Sequence, residues 1–158
     1  MPKMQKTTLC RCRQTGIIRT AKSAEYRAFK NIMDAGRHPT FIGPEMFRTN
    51  ARNGGAVFME YEGKIIAAAL VNPRKSSLVV LNVHPEHRKH GAGRFMVDYL
   101  ACNFARVIDQ AIPFFEKCGY KKLGKPFKGR SLMTWVMVRT SLIGLCGRMK
   151  KIYEKPLV

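Results

Sequence analysis

The spacing of apolar side chains changes several times along the chain, and each change marks an element. Tyr26, Phe29, Ile32 and Met33 recur at intervals of three and four, which predicts a helix over Ala24–Asp34, capped by Ser23 and stopped by Gly36. Pro44 near a first turn predicts a second short helix to Arg52, ended by Gly54 and Gly55. From there the period shortens. Ala56–Tyr61 (AVFMEY) and Lys64–Val71 (KIIAAALV) read as two strands joined by a tight Glu62–Gly63 turn. Leu78–Val83 (LVVLNV) is apolar on both faces, as a central strand must be. Thr7–Arg13 is short and β-prone.

Further on, a largely apolar stretch predicts a buried helix from about Gly93 to Ala105. A short strand at Arg106–Asp109, a short helix at Pro113–Cys118 stopped by Gly119, and a long strand at Leu132–Arg139 follow. Ser141–Glu154 reads as a basic helical tail weakened by Gly144 and Gly147. Strands alternate with helices, so the class is α/β (α+β) around one mixed sheet. A length of 158 residues suits one domain, expected over residues 1–140, with 141–158 packed on it or extending from it.

No apolar run reaches the roughly 20 residues of a membrane span. The start of the chain is basic without the apolar segment of a secretory signal. Cys10, Cys12, Cys102, Cys118 and Cys146 are odd in number and scattered, which predicts reduced thiols and a cytoplasmic protein with no membrane contact. Charge changes the picture more: 29 Lys+Arg against 10 Asp+Glu give a formal +19. A field of that sign favours polyanionic partners.

The stretch richest in chemistry is Val83-His84-Pro85-Glu86-His87-Arg88-Lys89-His90-Gly91-Ala92-Gly93. An apolar strand runs through a basic, glycine-punctuated turn into a helix. Such a turn aims backbone amides at one point, and the helix dipole adds positive potential there. Gly91 and Gly93 let an anion approach, while Arg88, Lys89 and Arg94 add formal charge. The residues predict an anion-binding turn; a plain strand-to-helix connection with solvated charges is the competing reading.

Arg88-x-x-Gly91-x-Gly93 resembles the Q/R-x-x-G-x-G/A signature of the GNAT superfamily, the acyl-CoA-dependent N-acyltransferases. Leu81-Asn82-Val83-His84-Pro85 resembles that family's lead-in, and Pro113-Phe114-Phe115-Glu116-Lys117-Cys118-Gly119-Tyr120 its second motif. The resemblance spans roughly Ala56–Arg139 and implies a GNAT-like domain whose central strand pair splays apart. It implies that the turn of Arg88, Lys89, His90, Gly91, Ala92, Gly93 and Arg94 holds the diphosphate of acetyl-CoA. It further implies that the backbone of Leu81, Asn82 and Val83 pairs with the pantetheine arm, with Phe115 also at the cofactor. An amine would attack the thioester directly, so the site must take one proton from the amine and manage the departing thiolate.

Many family members carry Tyr where this chain has Phe115, and its hydroxyl serves as the acid. Phe115 has none. Tyr120 lies close by in sequence, and three alternatives stand: another group supplies the proton, the thiolate leaves unassisted, or the protein binds CoA without fast transfer. His84, leaving the central strand near the implied thioester, Glu60 on the neighbouring hairpin and Asp109 after the short strand are the candidate bases.

Other signals point away from chemistry. His84, His87 and His90 are spaced by three, but no Cys or carboxylate completes a metal set in the sequence, so no metal is expected. Gly119–Lys125 (GYKKLGK) matches part of a phosphate-loop pattern without its Ser/Thr, Pro126 standing there instead. Trp135 and Phe58 read as core, and Cys118 as a packed thiol. Basic residues concentrate at both ends, eight against one acid in residues 1–30 and eleven against one in 117–155. Lys121, Lys122, Lys125, Lys128 and Arg130 form a cluster expected in a loop after the second motif, a candidate nucleic-acid surface. The functional expectation is acetyl transfer to an amine on, or associated with, DNA or RNA, by a monomer or homodimer. Phage Mom proteins, DNA-adenine-modifying enzymes of GNAT-like fold, are one precedent. A CoA- and nucleic-acid-binding scaffold with weak activity, and an ordinary small-molecule or protein N-acetyltransferase, are the alternatives.

Overall fold

A computed structural model describes residues 5–9, 14–37, 42–128 and 133–140. The tail Ser141–Glu154, Arg130, Leu132, Cys10, Cys12 and Cys146 lie outside the described residues. Among the described residues, eight strands form one sheet in the order β1-β2-β3-β4-β5-β6-β8-β7. They are β1 (Gln5–Leu9), β2 (Gln14–Thr20), β3 (Ala56–Tyr61), β4 (Lys64–Asn72), β5 (Ser77–Val83), β6 (Phe104–Ile108), β7 (Tyr120–Lys128) and β8 (Met133–Arg139). Four helices among the described residues flank it: α1 (Tyr26–Ala35), α2 (Pro44–Arg52), α3 (Ala92–Leu100) and α4 (Ile112–Lys117). All strand pairs are antiparallel except β5 with β6, which α3 joins as a crossover.

The sheet has apolar side chains on both faces of its centre, and each face takes one helix pair. On one face Phe29, Ile32 and Met33 of α1 and Phe47 and Ala51 of α2 cover Phe58, Ala68, Leu70 and Val80. The rings of Phe29 and Phe47 stand 5.0 Å apart and those of Phe47 and Phe58 6.4 Å. On the other face Ala92, Met96 and Val97 of α3 and Ile112 and Phe115 of α4 cover Met59, Ile66, Ala67, Ala69 and Leu78. The small residues Ala67, Ala68 and Ala69, all fully buried, let both layers close on β4. The β3–β4 turn is tight because Glu62 and Gly63 both take positive φ, 49° and 74°.

Several expectations are corrected. The first helix opens as a 3-10 turn over Ser23–Glu25, and the Lys22 amide donates to the Glu25 carboxylate at 2.7 Å, so Ser23 is not the cap. α3 ends at Leu100, where Ala101 turns left-handed with φ 48°. Phe104 and Ala105 pass into β6, because an apolar period suits a buried strand as well as a helix and their backbones pair with Ser77 and Leu78. Tyr120–Lys128 is a strand, not a loop. As an edge strand, β7 pairs on one side only, and a lysine-rich sequence is tolerated there. Its Gly119–Lys125 stretch is thus sheet and not a phosphate loop. β2 was unmarked in the hydrophobic pattern; among its described side chains Ile18 is the one buried to 0% exposure.

Candidate active site

The sheet is split where β5 and β6 part. Their pairing consists of Ser77 with Phe104 and Leu78 with Ala105. The register with β4 then slips between Leu70–Val80 and Val71–Leu78, leaving Val79 as a bulged extra residue. A bulge bends and twists its strand, so β5 turns away from β6 immediately after their last pair. The His84 amide donates to the Ile66 carbonyl at 2.8 Å. By the alternation of an antiparallel ladder, the backbone groups of Asn82 and Val80 face β4, and those of Leu81 and Val83 face the split. The expected Leu81–Val83 contact therefore divides: Leu81 and Val83 offer backbone to the opening, and Asn82 does not. The Asn82 side chain is buried on the opposite face, donating to the Ile32 carbonyl at 2.8 Å.

The turn at the end of β5 has the form of an anion cradle. Pro85–His87 is a 3-10 turn, Lys89 is left-handed at φ 65°, and Gly91 follows at φ 87° as the residue before α3. No side chain among the described residues caps α3. The amides of Ala92, Gly93 and Arg94 stand in its first turn, where helix geometry supplies no carbonyl four residues back. Gly93 sits so close to its neighbours that a Cβ would stand 3.2 Å from the Phe114 ring and 3.5 Å from Val83. Phe114 is therefore the aromatic of the second motif that packs under the turn, a role the sequence did not mark. Phe115 is buried instead, edge-on to Phe114 at 5.1 Å and to Tyr120 at 5.6 Å between ring centres.

The two arginines expected at the phosphates have other partners. Arg88 Nε donates to the Val83 carbonyl at 3.0 Å, and its Nη2 reaches Asn82 Oδ1 at 3.2 Å and the Gly36 carbonyl at 3.4 Å. Arg94 donates to the Lys117 carbonyl at 2.7 Å, at the end of α4, and to Asp98 at 3.2 Å. Lys89 and His90 are exposed at the turn.

The candidate acid–base residues separate. His84 stands at the end of β5, beside the split; its Nδ1 accepts from the Glu86 amide at 3.4 Å. Asp109 follows β6 on the opposite lip, accepting from Trp135 Nε1 at 2.6 Å, with Lys122 Nζ 4.5 Å from the Trp135 ring centre. Trp135 is thus a half-buried side chain at the lip as well as a core residue. Glu60 is engaged by Arg19 at 2.7 Å, and the same guanidinium holds Glu25 at 2.7 Å. Those bonds keep the Arg19 cation raised and the Glu25 carboxyl below the usual carboxylate range, chiefly through the Arg19–Glu25 hydrogen bond. Tyr120 is buried at the far end of the sheet, its hydroxyl bonded to the Cys102 carbonyl and accepting from Arg139 at 3.1 Å. Burial pushes its phenol up. The structure thus brings His84 and Asp109 to the opening and leaves Glu60 and Tyr120 away from it. Glu86 does bring a carboxylate to His84 and His87, the donor atoms lying within 4.8 Å of one another, which the spacing of the histidines alone did not reveal.

Lys121, Lys122, Lys125 and Lys128 are all exposed on β7. The ion pairs among the described residues use none of them.

The family described as acetyltransferase (GNAT) domain matches residues 53–122. Those residues are similar to a GNAT acetyltransferase domain. That match covers β3 through the first three residues of β7, and so the split, the turn and the second motif. The matched stretch and the shared fold indicate an N-acetyltransferase of the kind that uses acetyl-CoA. Ard1 from Thermoplasma volcanium is similar in fold, with a TM-score of 0.67 at 16% identity over 78% of this chain and 96% of that one. Arabidopsis thaliana Naa50, solved with the bisubstrate analogue CoA-Ac-MVNAL, gives 0.64 at 12% identity over 79% and 98%. The diaminobutyrate acetyltransferase EctA from Paenibacillus lautus, with coenzyme A and L-2,4-diaminobutyric acid, gives 0.59 at 15% over 80% and 95%. No curated protein sequence matches significantly.

The residues present fit the cofactor. Outward backbone at Leu81 and Val83 suits an amide-bearing arm, and the α3 amides suit a diphosphate. Gly93 lets the start of α3 pack closely on Phe114 and Val83, which fixes where those amides stand. No helix among the described residues is long and apolar enough to cross a membrane.

Proposed function

We propose that this GNAT enzyme acetylates an amine carried by, or bound to, a nucleic acid, with His84 as the base. Acetyl-CoA supplies the activated acyl carbon and a stable thiolate leaving group. The protein's part is to hold the donor with the α3 amides, aim it with the Leu81 and Val83 backbone, and take the amine's proton at His84. Of the two candidates beside the split, His84 has a ring nitrogen, Nε2, with no partner among the described residues, whereas Asp109 already bonds Trp135. Phe115 supplies no proton, so the thiolate leaves without an acid at that position.

The observation that carries the acceptor class is the set of exposed lysines on the edge strand β7, none of which makes an ion pair among the described residues. Lys122 reaches from it onto Trp135, which is bonded to Asp109 at the lip of the split. A phosphate backbone lying along β7 would thus pass the opening. The test combines binding and product analysis. Binding of DNA or RNA should weaken steeply with salt, and replacing Lys121, Lys122, Lys125 and Lys128 by Ala should lower the salt slope by roughly one per cation. Mass spectrometry of nucleosides and proteins from expressing cells should show a new acetyl mass on nucleic acid or on a protein bound to it. Absent binding even at low salt, with turnover of free peptides or small amines, would overturn the reading and leave the β7 lysines as guards of an open sheet edge.

A further inference from the structure

Arg88 lies exposed in the cofactor turn, yet its guanidinium is turned back onto the protein surface. Its three acceptors belong to two different layers: the Val83 carbonyl on the split strand, Asn82 Oδ1 beneath it, and the Gly36 carbonyl just past α1. Asn82 continues the chain of contacts. Its amide can face only one way, because Oδ1 must meet the guanidinium while Nδ2 donates to the Ile32 carbonyl. Gly36 permits the approach, since a Cβ there would fall 1.8 Å from Asn82 Nδ2. The carbonyl end of α1, the negative end of its dipole, is thus met by a cation from the cofactor turn and by an amide from the split strand.

We propose that Arg88 is a positioning residue that couples the cofactor turn to the end of α1, and through it donor binding to acceptor binding. This rests on the acetyltransferase reading above. α3 and its amides occupy one face of the split, and α1 lies over β5 on the other. An amine that attacks a donor held from the α3 side enters from the α1 side, so the end of α1 is the near wall of its path. One guanidinium therefore sets both the turn that holds the diphosphate and the wall that the acceptor meets. It also occupies the Val83 carbonyl, leaving the Val83 amide and both Leu81 groups for the donor.

The test separates a strut from a phosphate ligand. Hydrogen exchange on the free protein reads the strut directly: in R88M the amides of Gly36 and Arg37, bonded to Ile32 and Asp34, should exchange about ten-fold faster. Unchanged protection there overturns the proposal. Kinetics then use acetyl-CoA and S-acetylpantetheine, which lacks the diphosphate. R88M should lose about ten-fold in kcat/KM with both donors and raise the acceptor KM. R88K, which keeps charge but not the planar fork, should behave as R88M does. A loss confined to acetyl-CoA and rescued by R88K would make Arg88 a phosphate ligand and overturn the proposal. If the wild-type protein turns over neither donor, the transferase reading fails, and the exchange result still decides whether the strut exists.

Discussion

The two ends of the β5–β6 pair are each stitched by an arginine, and the contrast between them shows how this sheet makes a site. At the paired end, Arg139 donates to the Cys102 carbonyl at 2.8 Å, to the Tyr120 hydroxyl at 3.1 Å and to the Val97 carbonyl at 3.2 Å, with its guanidinium 5.4 Å from the Tyr120 ring centre. The Asn103 amide adds a bond to Ser76 Oγ at 3.1 Å. Strand backbones there satisfy one another, Tyr120 and Cys102 are buried, and the space between the strands is filled. At the split end, Arg88 makes a similar set of bonds to carbonyl and amide oxygens, but the strand backbones beside it have parted. The arginine chemistry is shared; the difference is the Val79 bulge, which ends strand pairing and leaves polar backbone open. A backbone group without a strand partner needs another, and that need makes one end a binding site and the other a piece of core.

Substitutions at the two ends should behave oppositely. The largest effect is expected for Gly91→Glu, which sets a carboxylate among the α3 amides and forces a side chain onto φ 87°. Acetyl-CoA affinity measured by calorimetry should fall at least about a hundred-fold, and retained affinity would show that the cradle is not where the diphosphate sits. At the paired end, Arg139→Met should lower the unfolding free energy by about 2–3 kcal/mol, because it removes three part-buried hydrogen bonds from a charged group. Cofactor affinity should stay within about two-fold, provided the variant is assayed where it is folded; a larger loss would mean that the two ends are not independent.

Phe115→Tyr tests the border between the ends. The ring is buried against Phe114 and Tyr120, so an added hydroxyl should cost about 1–2 kcal/mol in a denaturant titration without raising kcat. A faster enzyme would instead place position 115 within reach of the thiolate. The smallest effect is electrostatic. Burial at the paired end pushes the Cys102 thiol up to about 11 from 9.0, and the Cys118 thiol and Tyr120 phenol rise for the same reason. The unfolded chain ionises first, so stability is intact below pH 9.0 and declines as pH climbs toward about 11. Cys102→Ala should flatten that decline. An unchanged slope in stability measured against pH would assign the loss to other groups.

Local pattern was enough for much of this. The period of α1, Pro44 at the start of α2, the patterns of β3, β4 and β5 and the Glu62–Gly63 turn are legible because each reflects one neighbour or one dihedral preference. The motif around Gly91 and Gly93 is legible for the same reason: an anion cradle is a short-range arrangement of consecutive amides. The boundary between α3 and β6 was not legible, since Phe104 and Ala105 suit either element until Ser77 and Leu78 are present to pair with them. The same holds for β7, whose lysines look like a loop until β8 lies alongside.

Side-chain roles divide along the same line. Sequence alone determined which residue types cluster at the turn, and with them the donor class. Tertiary structure alone decided that Arg88 faces α1, that Glu60 is spoken for by Arg19, that Tyr120 is sealed at the wrong end, and that Phe114 packs under Gly93. A charged or hydroxyl-bearing side chain takes whichever partner geometry brings within about 3 Å, and those partners lie up to 52 positions away in the chain, where no local period can register them.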